Sequence, residues 1–482
     1  MISRFDIVLH LAMPAITTDL QPSSTQLLWI VDVYAFLVAG LLITMGAVGD
    51  RIGRRRLLLI GAAAFAAASV AAAFATTPAA LIAARAALGV AGATLAPSTL
   101  ALIRTMFPDP RQRSTATSVW VLAFLAGAAV GPILGGVILQ VWWWGGVFLL
   151  GVPVMLLLLV AGPVLLPEYR NPTAGRIDLA SAALSLAGIL GIVYLLKEVA
   201  AHGLSLLPVA VGAVGVLLGV LFIRRQRRLA DPLVDLHLLR EPGFAVALTV
   251  LTVGSVVLAG SGFLTAQYLQ LVLGLSPLAA GLWTLPPLAA GVAAIAASQS
   301  VGRDLRPYLR TGLGLGVAAA GLVVLTRTPT SGVTVVVVGL TLLFAGLMPV
   351  LAAGDDTVTA AAPPDRAGAA AALSETTQEL GGALGIALLG SAATAVYRRQ
   401  LNPLLADQPA PVREAADTLA GVLHGGQPLP PALVDAAVAA FTSGLHAASA
   451  VAAVVVILCT VAVVTIGRRN RAARTGQQPH PN

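Results

Sequence analysis

Apolar residues in this 482-residue chain gather in long blocks, and polar residues are confined to the short gaps between them. A bilayer core roughly 30 Å thick takes about 20 helical residues, each rising about 1.5 Å. Blocks suited to that length lie near 1–16, 27–48, 57–76, 79–102, 114–139, 146–166, 178–197, 204–223, 243–266, 278–298, 309–327, 332–354, 367–396 and 447–467. The pattern predicts an all-α polytopic membrane protein with fourteen transmembrane helices. Gly, Ala and Pro recur inside the blocks, which lipid tolerates and which lets helices approach closely.

The gaps set an orientation. Arg51, Arg54, Arg55, Arg56, Arg104, Arg111, Arg113, Arg170, Arg176, the group from Arg224 to Arg228, Arg240, Arg303, Arg306, Arg310, Arg366 and the group from Arg468 to Arg474 fall on one side. The other side holds Lys197, Arg327, Arg398, Arg399 and Arg413. By the positive-inside rule both termini are cytoplasmic. The first block is short, starts at Met1 without an apolar lead and carries Arg4, Asp6 and His10. A start set too far downstream, or a truncated first helix, is the expectation; a short helix with snorkelling charges is the alternative. The long gap 397–446 lies outside, with short amphipathic helices expected at 411–423 and 431–443 around a Gly/Pro-rich break. It reads as a lid over an outer opening or as a plain surface loop.

Composition then excludes a soluble fold: 57% of residues are hydrophobic, 10% are charged and the mean hydropathy is +0.90. The net charge of +8 follows from topology and not from nucleic-acid binding, because the arginines are scattered and aromatics are 5%. Cys459 is the single cysteine, so there is no disulfide framework, and it reads as inert packing. No cleavable signal peptide is evident, and near-exclusive use of Arg over Lys suits a bacterial, GC-rich genome. No phosphate-binding loop, zinc cluster or Ser/His/Asp arrangement is found, so neither an enzyme nor a cofactor or metal is expected. Gly312, Gly314 and Gly316 follow no strand and read as a packing seam.

Charged residues inside the blocks carry the candidate chemistry. An acid at the centre of a spanning helix costs roughly 2.5–3.5 kcal/mol, so two of them need a compensating use. Glu375 and Glu379 stand one turn apart in the thirteenth block and share a face. Glu379 is about twelve residues from the cytoplasmic end and Asp6 about ten from the outer end, which puts both near the midplane. Asp32 sits about one turn below the outer surface. Arg85, inside the fourth block, needs a counter-charge, for which Asp6 and Asp32 are the candidates. Low dielectric favours the protonated acid and an arriving cation favours the charged one, so one carboxyl can hold a proton or a cationic substrate by turns. Asp355 and Asp356 read as solvated residues ending the twelfth helix.

Local strings add a resemblance. Gly46 to Leu59 reads GAVGDRIGRRRLLL: Gly46 permits a close crossing, Asp50, next to Arg51, can pair with arginines or sit favourably at a helix N-terminus, Gly53 makes the turn, and Arg54 to Arg56 anchor at the cytoplasmic headgroups. With Arg85 four residues before Gly89, and Gly127-x-x-x-Gly131-Pro132-x-x-Gly135-Gly136 in the fifth block, this resembles the major facilitator superfamily. Leu88 departs from the family's pattern, where Gln is common. The glycine string is similar to the superfamily's antiporter motif; as bare packing it would be a small-residue seam. Fourteen spans, together with Trp29 to Tyr34, Gln267 to Gln270, Gly274 to Pro277 and Glu375 to Gly382, look like its drug:proton antiporter branch. Within that branch the QacA/SmvA-type exporters of quaternary ammonium compounds are the most similar.

The resemblance implies two six-helix bundles, 1–166 and 243–467, an inserted helix pair at 178–223, a cytoplasmic tail 468–482 and alternating access around a central cavity. It implies a monomeric, proton-driven exporter of lipophilic or cationic small molecules in the cytoplasmic (inner) membrane. The same fold carrying an endogenous metabolite or antibiotic is the second reading, and a non-transporting membrane sensor the third. The tenth span, 278–298, lacks an acid, which argues against broad export of dications.

Overall fold

The computed structural model describes residues 9, 12, 15–17, 19–22, 24–168, 178–202, 205–229, 241–300, 305–361, 367–406, 408–409, 412–413, 416, 418–424 and 429–475. Every regular element among them is helical. Ten of the helices are long and apolar enough to cross a membrane.

In chain order the helices are α1 (Ser24–Ile52), α2 (Arg54–Ala73), α3 (Pro78–Met106), α4 (Pro110–Val141), the short α5 (Gly146–Leu149) and α6 (Val152–Leu165). They continue with α7 (Leu179–His202), α8 (Leu206–Gln226), α9 (Pro242–Gln267), α10 (Pro277–Trp283), α11 (Leu285–Ser300) and α12 (Pro307–Leu325). The last four are α13 (Thr334–Ala361), α14 (Ala367–Leu405), α15 (Leu419–His424) and α16 (Pro431–Thr475). Each expected span from 27–48 onward coincides with one of these helices, or with a broken pair. The breaks follow local chemistry: Gly151 and Pro153 separate α5 from α6, and Thr284 with Pro286 separates α10 from α11. Of the first expected span, 1–16, only Leu9, Ala12, Ala15 and Ile16 are among the described residues, and all four are helical.

Two expectations change. Asp355 and Asp356 do not end a helix; α13 runs through them to Ala361, and Asp355 is half-buried. Half of the segment 397–446 continues its flanking helices, since α14 runs to Leu405 and α16 starts at Pro431. The expected helix at 411–423 shrinks to α15, and the one at 431–443 is the first part of α16. The cause is a private core: Tyr397, Leu401, Leu405, Leu419, Val422, Leu433 and Ala437 are buried together, and Tyr397 Oη donates to the Ala416 carbonyl at 3.1 Å.

The chain divides into two compact units. The first comprises 1–195, 204–244 and 358–380, around Tyr34, Phe65, Leu81, Trp144, Phe148 and Met155. Glycines set its crossings: a Cβ on Gly89 would fall 2.8 Å from the Tyr34 carbonyl, and one on Gly191 would fall 2.9 Å from Gly215 Cα. Trp143 Nε1 donates to the Ala73 carbonyl at 3.2 Å, and Trp144 Nε1 to Asp19 Oδ2 at 2.7 Å. The second unit comprises 196–203, 245–357 and 381–482, around Val257, Tyr268, Leu315, Leu322, Leu343 and Val456. Its backbones meet at Gly260 with Gly385 and at Gly314 with Gly346, so of the three α12 glycines Gly314 has the expected packing role against another backbone, while a Cβ on Gly316 would meet nothing within 4 Å.

Candidate functional site

The acidic turn lies in the first half of α14, a helix of 39 residues. Ser374 and Thr376 are buried, while Glu375 and Glu379 are half-buried, with Glu375 Oε2 closed off from the surface. Thr377 Oγ1 donates to the Leu373 carbonyl at 2.7 Å, so its hydroxyl is spent inside the helix. Two residues after Glu379, Gly381 seats α14 on α9: a Cβ there would fall 2.9 Å from Ser255 Cβ. Gly385 continues that face one turn later, against the Val256 carbonyl. The glycines thus seat α14 on α9, and Glu375 and Glu379 share a different face of the same helix, more than about 100° around from Gly381.

Arg85 is 1% exposed on α3. Its Nε donates to the Ile30 carbonyl at 2.9 Å, and its guanidinium carbon stands 4.8 Å from the centre of the Tyr34 ring. A backbone carbonyl of α1 and an aromatic face therefore stabilise this buried cation. Of its expected partners, Asp6 lies outside the described residues, and for Asp32 only the helical backbone of α1 is described. Tyr34 is the contributor that the sequence pattern did not single out. Its signal was an aromatic four residues after Ile30, whose carbonyl accepts from Arg85, on the α1 face that Gly89 and Gly92 leave open.

The arginine-rich turn is a built structure. Gly53, with φ +112°, separates α1 from α2, a backbone conformation that favours glycine. A Cβ there would also fall 2.4 Å from Glu168 Oε1. The Glu168 carboxylate accepts from the Arg55 backbone N–H at 3.2 Å and lies 3.6 Å from Arg55 Nε and 3.7 Å from Arg56 Nε. In return Arg55 Nη1 donates to the carbonyls of Pro163 and Leu166, at 3.2 and 3.0 Å, where α6 ends. An anion meets the start of α2 and a cation the end of α6, the favourable sign at both helix termini. Arg54 is 1% exposed, and a Cβ on Gly49 would touch its Nη1 at 3.0 Å. Gly46 is buried in α1 and Arg51 is exposed; the Asp50 side chain is not among the described groups. Glu168 was invisible to local reading because it pairs across 113 residues of sequence.

The antiporter-like string lies within the unbroken helix α4. Gly127 and Gly131 are half-buried, and Gly135 and Gly136 are buried; Pro132 has only its backbone described. A Cβ on Gly136 would meet nothing within 4 Å, so close packing does not require that glycine.

A second ionic clasp joins α7 and α8. Arg225 of α8 donates to both Asp178 oxygens, at 2.9 and 3.0 Å. Asp178 caps α7 by accepting from Ser181 N–H at 3.1 Å and Ser181 Oγ at 2.6 Å, and Gln226 Nε2 donates to the same hydroxyl at 2.7 Å. Arg225 first, and then Ser181, hold the Asp178 carboxyl well below the usual carboxylate range. In the second unit, α9 ends in a π-helical turn, Tyr268–Val272. Such turns frequently mark functional places. Here it swings Tyr268 Oη to the Pro329 carbonyl, while His446 Nε2 lies 2.7 Å from the Thr328 carbonyl, so the loop between α12 and α13 is pinned from two helices.

The described residues contain no cluster of three or more His, Cys, Asp or Glu side chains fit to hold a metal ion. The chain is similar to the multidrug efflux pump LfrA of Mycolicibacterium smegmatis, with 42% identity over 470 residues, covering 96% of this chain and 92% of that protein. The methyl viologen resistance protein SmvA of Salmonella typhimurium is 33% identical over 441 residues, covering 90% of this chain and 89% of that one. Among solved structures, a POT family transporter in complex with 5-aminolevulinic acid matches with a TM-score of 0.62 at 15% identity, over 97% of this chain and 95% of that one. At such identity the likeness concerns fold alone. Residues 5–386 match the family model described as Major Facilitator Superfamily, and with the 42% relative this shows that the chain belongs to that superfamily.

Proposed function

We propose that the chain exports lipophilic cations, such as drugs, dyes or quaternary ammonium compounds, across the cytoplasmic membrane in exchange for protons. The observation that carries the reading is the acidic turn of α14: two carboxylates, Glu375 and Glu379, one helical turn apart within an apolar helix. The names of the relatives, a multidrug efflux pump and a methyl viologen resistance protein, point to the same class of cargo. A carboxyl in low dielectric is neutral when protonated and accepts an organic cation when it is not, so the two ligands exclude each other. Exclusion is coupling: cargo leaves with the release of no proton inward only if the exchange cycle is broken. Arg85, held by α1, would fix the electrostatics of the first bundle, with Asp6 and Asp32 as further proton or cation carriers. The arginine-rich loops and both termini would face the cytoplasm. A membrane potential then adds about 2.3 kcal/mol per net charge moved and per 100 mV.

Inverted membrane vesicles energised with an acid interior test this. Ethidium uptake should collapse on addition of a protonophore. Glu379→Gln should lower uptake about a hundredfold, the effect of removing an essential proton carrier. Glu375→Gln should lower it less and shift its pH dependence. Equal uptake by both variants and the parent would reject the assigned roles. Because 278–298 lacks an acid, singly charged ethidium should be carried in preference to doubly charged methyl viologen.

A further inference from the structure

An exposed groove of 470 Å³ runs along α12 and α16, lined by Leu309, Gly312, Gly316, Val317 and Ala320 on one side and Val464 on the other. It is open because α12 has glycines there. A Cβ on Gly316 would meet nothing within 4 Å, and one on Gly312 would meet Val464 Cγ2. Leu313, 59% exposed, stands as a ridge beside it. On the far flank of that ridge a second groove, of 310 Å³, lies between α11, α12 and α13, with Ala297, Pro349 and Ala353 in its wall and the half-buried Arg310 among them.

Basic residues rim this surface. Arg306 precedes the first turn of α12, and its Nη1 donates to Tyr308 Oη at 3.3 Å. Gly467 lies against Tyr308, with a Cβ there only 2.5 Å from the Tyr308 Cβ, and the exposed Arg468 and Arg469 follow it. Leu309 and Val464, which line the first groove, are each about one turn from these arginines. Hydrocarbon-lined channels thus end at a cluster of cations.

We propose that this face binds one anionic phospholipid, with an acyl chain on either side of Leu313 and the phosphate over Arg306, Arg468 and Arg469. The apolar grooves suit acyl chains, and a juxtamembrane arginine cluster selects a negative headgroup over a zwitterionic one. A second copy of the chain fits poorly. Two-fold pairing about this patch would bring the same arginines together, and the projecting Leu313 and Val317 interrupt the flat small-residue seam that closely packed helices need.

Native mass spectrometry of the purified full chain, titrated with phosphatidylglycerol or phosphatidylcholine, tests the site without involving transport. One phosphatidylglycerol should bind about tenfold more tightly than phosphatidylcholine. Combined Arg306→Gln, Arg468→Gln and Arg469→Gln should erase that preference and leave phosphatidylcholine binding unchanged. Gly316→Leu places its Cβ where nothing lies within 4 Å and its side chain in the groove, keeps every charge, and should weaken phosphatidylglycerol about tenfold with the parent's melting midpoint. Inorganic phosphate should not displace the lipid. Equal binding of the two lipids, full retention by Gly316→Leu, displacement by phosphate, or a doubled mass that Gly316→Leu abolishes would each overturn the proposal, the last by placing a second copy there.

Discussion

Position 53 shows how much one missing side chain can decide. Glycine supplies the left-handed backbone at φ +112° and vacates the space that Glu168 fills. Gly53→Ala should therefore cost more than the roughly 1–2 kcal/mol of the backbone term alone, because Glu168 must also leave the start of α2. A lowered thermal midpoint together with lost dye efflux is the expected outcome. Gly136→Ala is the opposite case, since its Cβ would enter open space. That variant should fold with the parent's midpoint, and any loss of efflux would then belong to the transport cycle. Arg85→Lys should fold but transport poorly, because an ammonium does not reproduce the guanidinium's combined reach to the Ile30 carbonyl and the Tyr34 face. The need for a partner at Arg85 was legible from its place in an apolar block. That the Ile30 carbonyl and the Tyr34 ring also meet it was not, since carbonyls and ring faces carry no charge pattern to read.

At the level of elements, the sequence told helix centres better than helix ends. Hydropathy located the blocks, but α14 and α16 overrun theirs because their extensions are stabilised by the Tyr397 cluster and not by lipid. The π-helical turn at Tyr268–Val272 was equally hidden, because hydrophobic spacing does not distinguish one wider turn from a regular one. The α7–α8 pair illustrates a clasp whose ends do matter. A carboxyl held low contributes its stability fully above its unfolded value near 3.8 and loses it as pH falls through the still lower folded value. The Asp178–Arg225 pair is therefore ionised at every pH near neutrality. Asp178→Asn should lower the melting midpoint at neutral pH by a small amount, and leave the shape of the transport pH profile unchanged. A changed profile would assign proton traffic to this clasp. Gly191→Leu, by contrast, should part α7 from α8, since its Cβ already falls 2.9 Å from Gly215 Cα; reduced membrane yield is the readout.

For the molecule as a whole, the asymmetric distribution of arginine is the feature that predicts placement in the membrane. The single cysteine, Cys459, is 8% exposed, so its replacement by Ser gives a silent background. In that background a cysteine at Arg56 should react with a membrane-impermeant maleimide only in inverted vesicles. One at Arg413 should react only in intact cells. The reverse pattern would invert the proposed topology and with it the direction of export. The helical blocks from 27–48 onward and the acidic turn were open to reading from sequence because each is a local property. The two helix-end clasps were not, since each joins residues far apart in the chain.

The 45 residues of α16, at about 1.5 Å each, extend about 68 Å, more than twice a hydrocarbon core of roughly 30 Å. Together with the end of α14 and the packed cluster between them, the first turns of α16 form a helical knob at the end of that helix opposite Arg468 and Arg469. An antibody fragment raised against it would provide a fixed landmark for aligning single particles in electron micrographs, where a body otherwise wrapped in detergent offers few.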